Sequence, residues 1–317
     1  MQNMALPHSC WVQHAKGMSQ EQREALDTLF RAGPLDIGGG YLQQREVFTR
    51  MLTSRPVPDD VVLTPGTLGD VPVLEIGIDD VAAEGTLLWF HGGVYVLGSA
   101  RTSAGLASDV ARRARTRMIS VDYRLAPEHP YPAALDDALA AYRALLDTTR
   151  PDLVAVAGES AGAGLAAALL VSAREQGLPM PAAGVLFSPY ADLTLSGDSM
   201  TTKAAADPAF RPDAFEVRVR DYVGAGDPAD PLISPVFADL RGLPPLLIQA
   251  GSNELLLDDA VRLAARAAAD DVPVTLDVTP GVPHLFQAFA AMLDEGDAAL
   301  TRVTGFLQEA LTARRPQ

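Results

Sequence analysis

The chain has 317 residues, of which 48% are apolar and 21% charged, a globular composition that excludes wholesale disorder, collagen and coiled coil. The formal net charge is −15, and the scattered basic residues form no stripe that could neutralise a phosphate backbone, which argues against nucleic acid as a partner. The length allows either two domains or one large α/β unit with insertions.

The first segment of the chain, residues 1 to about 55, shows helical patterns without strands. Its predicted helices are Gln20–Arg31 and Tyr41–Thr53, joined by the turn-forming run GPLDIGGG. That glycine-rich run follows a helix and not a strand, so it lacks the context of a dinucleotide-binding fingerprint.

From about residue 61 onward, short apolar or β-branched runs alternate with longer segments of helical periodicity. This alternation predicts a mostly parallel central sheet flanked by helices, and several runs are nearly all apolar, as expected for strands covered on both faces. The predicted strands are Val73–Gly77, Thr86–Phe90, Met118–Asp122, Leu153–Ala157, Val185–Phe187, Leu246–Ala250 and Val274–Val278. The predicted helices are Gly105–Arg115, Pro132–Asp147, Ala161–Glu175, Asp259–Ala269 and Ala298–Ala313.

A second segment, residues 196–235, interrupts the later half of this pattern, and its three Asp-Pro pairs punctuate short helices. We therefore expect one core made of residues 56–195 and 236–317. Residues 1–55 and 196–235 are expected to form a helical cap over it.

The strongest local signal is Gly158–Gly162, GESAG, between a predicted strand and a predicted helix. A serine on such a turn is held in a strained conformation with its hydroxyl at the carboxyl edge of the sheet. Ser160 is therefore the candidate nucleophile. A serine hydroxyl needs a histidine to take its proton and a carboxylate to orient that histidine.

Chain order in this arrangement is Ser, acid, His, and His284 is the one histidine well downstream of Ser160. The acid is expected after the strand LLIQA, where three carboxylates compete. Asp258 and Asp259 immediately precede a predicted helix, where Asp is favoured for capping and for the helix dipole. Glu254 has no such structural role and is favoured as the acid, with Asp258 as the alternative.

The charge that develops on a carbonyl oxygen during acyl transfer needs backbone N–H donors aimed at it. Gly92 and Gly93, directly after the strand TLLWF, allow close backbone approach, and the N–H of Ala161 would complete the hole. His91 is expected to hold this loop by hydrogen bonds. Neither HExxH nor any clustered His/Asp spacing is present, so the sequence predicts no metal site.

At these residues the chain closely resembles the bacterial hormone-sensitive lipase family of α/β-hydrolases, serine carboxylesterases with a helical cap. The resemblance extends from about residue 60 to the end and passes through HGGVYVLGS, DYRLAPEHPYPAALDDA, GESAG, SPYADLTLSGDS and GSNELLLDDA to His284. It implies the α/β-hydrolase fold, catalytic Ser160 and His284, oxyanion donors Gly92, Gly93 and Ala161, and no cofactor.

Three positions depart from the family pattern. Val94 replaces the third glycine of HGGG, and Glu159 replaces the usual Asp of the elbow. Glu254 stands where the family usually has Asp as the acid, and it reaches one carbon further. Four polar residues of the DYRLAPEH stretch are expected to form a buried scaffold under the oxyanion loop: Asp122, Arg124, Glu128 and His129. The same role is expected for Asp192.

Together these features predict a serine carboxylesterase, and the resemblance implies a preference for short acyl chains. A lactone or acetyl-ester hydrolase with the same triad is the alternative. A non-catalytic ligand receptor on the same scaffold is disfavoured, because the serine, a carboxylate and the histidine all remain. The pocket walls are expected to come from Tyr95, Tyr190, Trp11, Phe210 and Phe215.

The sequence also sets expectations about location and assembly. Its longest apolar stretch, Ala161 to Val171, is far shorter than the ~20 residues of a membrane span, and the N-terminus has no pattern of a secretory signal. We therefore expect a cytoplasmic protein without a membrane partner. Cys10 is the only cysteine, which excludes internal disulfides. The resemblance alone implies a homodimer.

Overall fold

The computed structural model describes residues 8–54 and 57–312, with side chains described from residue 19 onward and up to residue 311. In this part of the chain, eight strands form one sheet: β1 Val61–Leu68, β2 Val71–Ile78, β3 Thr86–Phe90, β4 Arg117–Val121, β5 Val154–Glu159, β6 Ala183–Phe187, β7 Leu246–Gly251 and β8 Val274–Thr279. The α-helices are α1 His8–Arg31, α2 Tyr41–Leu52, α3 Ala104–Ala114, α4 Ala133–Leu146, α5 Ala161–Glu175, α6 Ser199–Thr202, α7 Pro212–Val223, α8 Leu257–Ala269 and α9 Asp294–Thr312.

The sheet is mostly parallel, in the order β1-β2-β4-β3-β5-β6-β7-β8. β2 pairs antiparallel with both β1 and β4, whereas every pairing from β4 to β8 is parallel. This confirms the predicted fold class. All seven predicted strands are present, each within two residues of its expected bounds.

The sequence analysis missed one strand, β1, at the outer edge of the sheet. Only Val61 of its eight residues is buried, and Pro65 and Gly66 interrupt its pattern. Proline is tolerated at a sheet edge, and a strand that is mostly solvated has no apolar run that would reveal it.

Helices cover both faces of the sheet, and the alternation of side chains along β3 shows how the two layers divide. Leu87 and Trp89 pack with residues of α3 and α9. Leu88 and Phe90 pack on the opposite face with residues of α4, α5 and α8. Successive side chains of a strand point to opposite faces, so a strand covered on both sides is apolar at nearly every position, as β3 is from Leu87 to Phe90.

The loop before α2 lies against α7. A Cβ atom added to Gly38 would lie 3.1 Å from the Cα atom of Ala214 in α7. Arg218, also in α7, donates a hydrogen bond to the carbonyl oxygen of Gly39 at 3.3 Å. α1 packs elsewhere, with Phe30 edge-on to Phe289 at 5.4 Å between ring centroids. Among the described residues, no helix is both long enough and apolar enough to span a bilayer.

Candidate active site

Ser160 stands on a sharp turn between β5 and α5, as the sequence predicts. Its backbone has φ 54° and ψ −119°, a strained conformation for a residue with a side chain. The turn fits only because residue 162 is glycine: a Cβ there would lie 2.0 Å from the carbonyl oxygen of Phe90. The N–H of Ser160 donates to the carbonyl oxygen of Phe187 at 2.8 Å, which ties the turn to β6.

His284 and Glu254 meet beside this turn. Nδ1 of His284 lies 2.5 Å from Oε2 of Glu254, and both side chains are buried. The second carboxylate oxygen of Glu254, Oε1, accepts the N–H of Gly251 at 2.7 Å. A short contact between a buried carboxylate and Nδ1 fixes the tautomer of the ring, so that Nε2 is the nitrogen free to accept a proton.

Asp258 and Asp259 are used elsewhere. Asp258 accepts the N–H of Ser199 at 2.9 Å from the first turn of α8. Asp259 accepts the N–H groups of Ala191 and Asp192, each at 2.8 Å. Of the three competing carboxylates, the structure therefore places Glu254 against His284.

Nε2 of His284 is buried and has no hydrogen-bond partner among the described residues. In a free enzyme the hydrogen bond between nucleophile and base is often long and tightens only when substrate binds. An unpartnered ring nitrogen in this position can accept a proton from a serine hydroxyl and later return it to a leaving group.

The turn after β3 carries two of the three predicted oxyanion residues, Gly92 and Gly93, and the third, Ala161, is the first residue of α5. Gly93 has φ +122°, and a Cβ on it would lie 2.2 Å from the carbonyl oxygen of Leu97, so only glycine fits. Within the described chain, the N–H groups of Gly93 and Ala161 have no hydrogen-bond partner. The N–H of Gly92 donates to Oε1 of Glu159 at 3.3 Å. Two of the three predicted donors are therefore free, and the third is held by the residue before the nucleophile.

Glu159 is a buried carboxyl that also accepts a short hydrogen bond from the hydroxyl of Ser103. Burial raises its pKa, and the hydrogen bonds from Ser103 and Gly92 and the charge of His284 only partly oppose this. Its carboxyl group joins the nucleophile turn to the oxyanion turn.

His91 holds the start of the oxyanion turn, in line with the structural role expected for it. Its ring is buried and stacks on Tyr123 with 4.1 Å between centroids. Nδ1 lies 2.8 Å from the carbonyl oxygen of Gly92, and the hydroxyl of Tyr123 donates to the carbonyl oxygen of His91 at 2.7 Å. Burial lowers the pKa of His91.

The prediction of a buried scaffold in the DYRLAPEH stretch is wrong, because its four polar residues are exposed: Asp122, Arg124, Glu128 and His129. Long polar side chains keep their charged ends in water because burying an unpaired charge is costly. The first three still form structural bonds, such as Asp122 with the N–H of Ala100 at 2.9 Å. Asp192 is fully buried, as expected.

Four of the predicted pocket residues form a connected group of rings that begins at His284. Phe210 lies edge-on to the ring of His284, with 5.2 Å between centroids. From there the rings continue through Phe215 and Tyr190 to Tyr95. Trp11 lies in the part of α1 whose side chains are outside the described residues, so its assignment stays a prediction.

Sequence reasoning missed several residues that shape the site. Tyr222 of α7 stacks on Tyr95 with 3.8 Å between centroids. Asp207 accepts the N–H groups of Phe210 and Leu255, at 3.0 and 2.8 Å, and so joins Phe210 to the loop that carries Glu254. Its position in one of the Asp-Pro pairs was the available signal, which was interpreted only as turn punctuation.

Comparisons with known proteins agree with this geometry. A family model described as alpha/beta hydrolase fold matches residues 87–288. An acetyl-hydrolase of Streptomyces hygroscopicus is 43% identical over 226 residues, covering 71% of this chain and 76% of the relative. An esterase of Acinetobacter venetianus is 37% identical over 264 residues, covering 83% and 87%.

Solved structures give the same result. An esterase from the bacterial hormone-sensitive lipase family is 40% identical and superposes with a TM-score of 0.88, covering 92% of this chain and 98% of that one. A hormone-sensitive lipase from a metagenome library is 41% identical with a TM-score of 0.83, covering 86% and 94%. The chain therefore belongs to the bacterial hormone-sensitive lipase family of α/β-hydrolases and is a carboxylic ester hydrolase.

Proposed function

We propose that this enzyme hydrolyses short-chain esters through an acyl-enzyme intermediate on Ser160. The 2.5 Å contact between His284 and Glu254 beside the nucleophile turn is the observation that carries the proposal. Oγ of Ser160 attacks the ester carbonyl while Nε2 of His284 takes its proton. Glu254 keeps the ring oriented and stabilises the imidazolium that forms.

The second half of the reaction repeats these steps with water. The protonated His284 gives its proton to the leaving alcohol as the tetrahedral intermediate collapses to the acyl-enzyme. Water then attacks the acyl carbon and gives a proton to Nε2, and Ser160 leaves with that proton as the acid is released.

We assign the oxyanion hole to Gly92, Gly93 and Ala161. The unpartnered N–H groups of Gly93 and Ala161 support them as the principal donors, because a pre-aimed donor needs no reorganisation during the reaction. The N–H of Gly92 already donates to Glu159, so we expect it to contribute least.

We expect a small acyl group to be preferred beside His284. Phe210, Phe215 and Tyr190 pack ring to ring beside it, which leaves little length for a long chain. One relative is named an acetyl-hydrolase, and a similar esterase structure was soaked with p-nitrophenyl butyrate.

We propose that residues 1–55 and 196–235 form the cap that closes this pocket, since Phe210 and Phe215 come from the second segment. The net charge of −15 favours a neutral ester.

A lactone or acetyl-ester hydrolase with the same triad is the second candidate, because ring opening of a lactone is the same chemistry on a tethered ester. A non-catalytic receptor is disfavoured by the intact Glu254–His284 pair.

We also propose a cytoplasmic location, since a chain with one cysteine needs no oxidising compartment. Homodimerisation through the edge strand β8, where Leu276 and Val278 are exposed, belongs to the same proposal.

A panel of p-nitrophenyl esters from acetate to laurate, run beside a set of lactones, tests the substrate class. We expect acetate and butyrate to give the highest kcat/KM, and laurate to fall by at least about 10-fold because its chain would have to displace packed rings. A maximum at laurate would contradict the short-chain assignment. Faster turnover of lactones would select the second candidate.

A further inference from the structure

Ser188 is a buried hydroxyl to which neither the sequence analysis nor the triad assigns a role. It is the first residue after β6, is fully buried, and has φ 44°. A positive φ is uncommon for a residue with a side chain, and strain of this kind persists only where the surroundings enforce it.

The hydroxyl of Ser188 forms hydrogen bonds with Glu254 and with the backbone of the residue that follows His284. It donates to Oε1 of Glu254 at 3.1 Å. It also accepts the N–H of Leu285, the residue after His284, at 3.4 Å. One side chain is therefore bonded to the acid and to the backbone that carries the base.

The backbone of Ser188 is fixed from two directions. Its own N–H donates to the carbonyl oxygen of Gln249 in β7 at 2.7 Å, and the carbonyl of the preceding Phe187 accepts the N–H of Ser160 at 2.8 Å. Ser188 consequently lies at the junction of the nucleophile turn, the acid loop and the histidine loop.

Glutamate has one more rotatable bond than aspartate, and its terminal torsion has no sharp minimum. Two donors hold Oε1 of Glu254, namely the N–H of Gly251 and the hydroxyl of Ser188, and this leaves Oε2 directed at His284. Removing the hydroxyl would leave the carboxylate with one anchor and more freedom to rotate.

We propose that Ser188 is a positioning residue that holds Glu254 and the His284 loop in the geometry needed for proton transfer. The proposal rests on the catalytic roles given above for Glu254 and His284. Ser188 acts through these two residues, so its loss should lower kcat and leave substrate binding nearly unchanged.

The test compares Ser188→Ala, which removes the hydroxyl, with Ser188→Gly, which removes it and also relieves the positive φ. We expect both to lower kcat on p-nitrophenyl butyrate by about 10–100-fold, the loss typical of removing a partner that orients a functional ligand, with KM within about twofold. The matched control is Ser108→Ala, because Ser108 is an equally buried serine that donates to the carbonyl oxygen of Gly105 in α3, away from the site; we expect its kcat to stay as in the wild type.

A double-mutant cycle separates positioning from a structural effect. If Ser188 acts through the carboxylate, Ser188→Ala should cost less than about twofold in a Glu254→Ala background, because the group it positions is gone. The same fold-loss in both backgrounds, or an unchanged kcat in the single variants, would overturn the proposal.

Proton NMR reports on the hydrogen bond between His284 and Glu254 without requiring turnover. We expect the low-field resonance of the His284 Nδ1 proton in the wild type to be lost or broadened in both Ser188 variants and kept in Ser108→Ala. An unchanged resonance in the Ser188 variants would overturn the positioning role. A wild-type enzyme that hydrolyses no ester would refute the proposed function, and the resonance would still decide the role of Ser188.

Discussion

Asp259 shows what burial does to a single carboxyl in this protein. It is fully buried, and its hydrogen bonds come from the backbone N–H groups of Ala191 and Asp192. Burial raises its pKa well above the usual value, the nearby charge of Asp192 adds to this, and the two backbone donors and Arg262 oppose it. The charged form of Asp259 is therefore a cost to the folded state.

A raised pKa makes stability fall as pH increases. Below the ordinary Asp value of ~3.9, both folded and unfolded forms are protonated. Above it the unfolded chain loses its proton first, so folding is progressively penalised until the pH passes the folded pKa. Asp259→Asn removes this titration and keeps an oxygen for both backbone donors.

We therefore expect Asp259→Asn to melt close to wild type near pH 4 and to gain stability as the pH rises to 7, by about 2–4 °C for each 1 kcal/mol relieved. Thermal unfolding at several pH values measures this. A difference from wild type that stays constant with pH would show that titration of Asp259 is not its source.

Asp192 lies beside Asp259 and behaves in the opposite way. Burial acts to raise its pKa, but hydrogen bonds from Thr194 and Ser196 and the ion pair with Arg262 outweigh this and lower it. Two neighbouring carboxyls thus differ because one has a cation and hydroxyl donors and the other mainly backbone donors. Thr194 and Ser196 are near Asp192 in the chain, but Arg262 is 70 residues away, so the sequence could not predict the ion pair that completes this difference.

At the scale of elements, α2 is attached to the oxyanion turn by one side chain. Nε of Arg45 donates to the carbonyl oxygen of Val96 at 2.7 Å, and Nη2 donates to that of Ala126 at 2.9 Å. The same guanidinium pairs with both carboxylate oxygens of Glu128. The planar group of arginine is suited to several fixed acceptors at once, and a lysine ammonium is not.

Replacing Arg45 should therefore affect catalysis from outside the pocket. We expect Arg45→Ala and Arg45→Lys to lower kcat about 10-fold, because displacing catalytic groups by about 1 Å is costly, and to lower the Tm by a few degrees. Steady-state kinetics and thermal unfolding measure both effects. Arg50→Ala, an exposed arginine on the same helix, is the control and should match wild type; equal kcat for the Arg45 variants would contradict the link to the oxyanion turn.

The elements that the sequence predicts well are those whose burial is uniform. The central strands are mostly apolar and the helices have clear periodicity, so their bounds follow from local pattern. β1 has neither property because it lies at a solvated edge. Long-range side-chain partners, such as Arg45 with Val96 or Ser188 with Glu254, also leave no local pattern in the chain.

The candidate site was more predictable than these contacts. Its residues stand after the carboxyl ends of the parallel strands β3, β5, β7 and β8, and this topology brings them together at one edge of the sheet. Ser160, Glu254 and His284 could be proposed for that reason. The exposure of Arg124 and Glu128 could not be predicted, because the family motif that contains them carries no information about burial.

At the scale of the whole molecule, the length bears on the number of domains and the net charge bears on the kind of substrate. The residues that the structure describes build one α/β core around a single sheet, and the loop before α2 packs against α7, so the length does not require two independent domains. Ion pairs such as Arg112 with Asp60 and Arg302 with Asp277 balance part of the acidic residues, and the remaining excess gives the net charge of −15. A net charge of this size repels anionic ligands, in keeping with a neutral ester substrate.

The central claim is that Ser160, His284 and Glu254 act as one catalytic unit, and kcat for p-nitrophenyl butyrate in matched variants tests it most directly. We expect Ser160→Ala to lower kcat by about 10⁶-fold and Glu254→Gln by about 10⁴-fold. Asp258→Asn should remain close to wild type, because Asp258 bonds to Ser199 and not to His284. An active Ser160→Ala enzyme, or a loss of kcat confined to Asp258→Asn, would contradict the account.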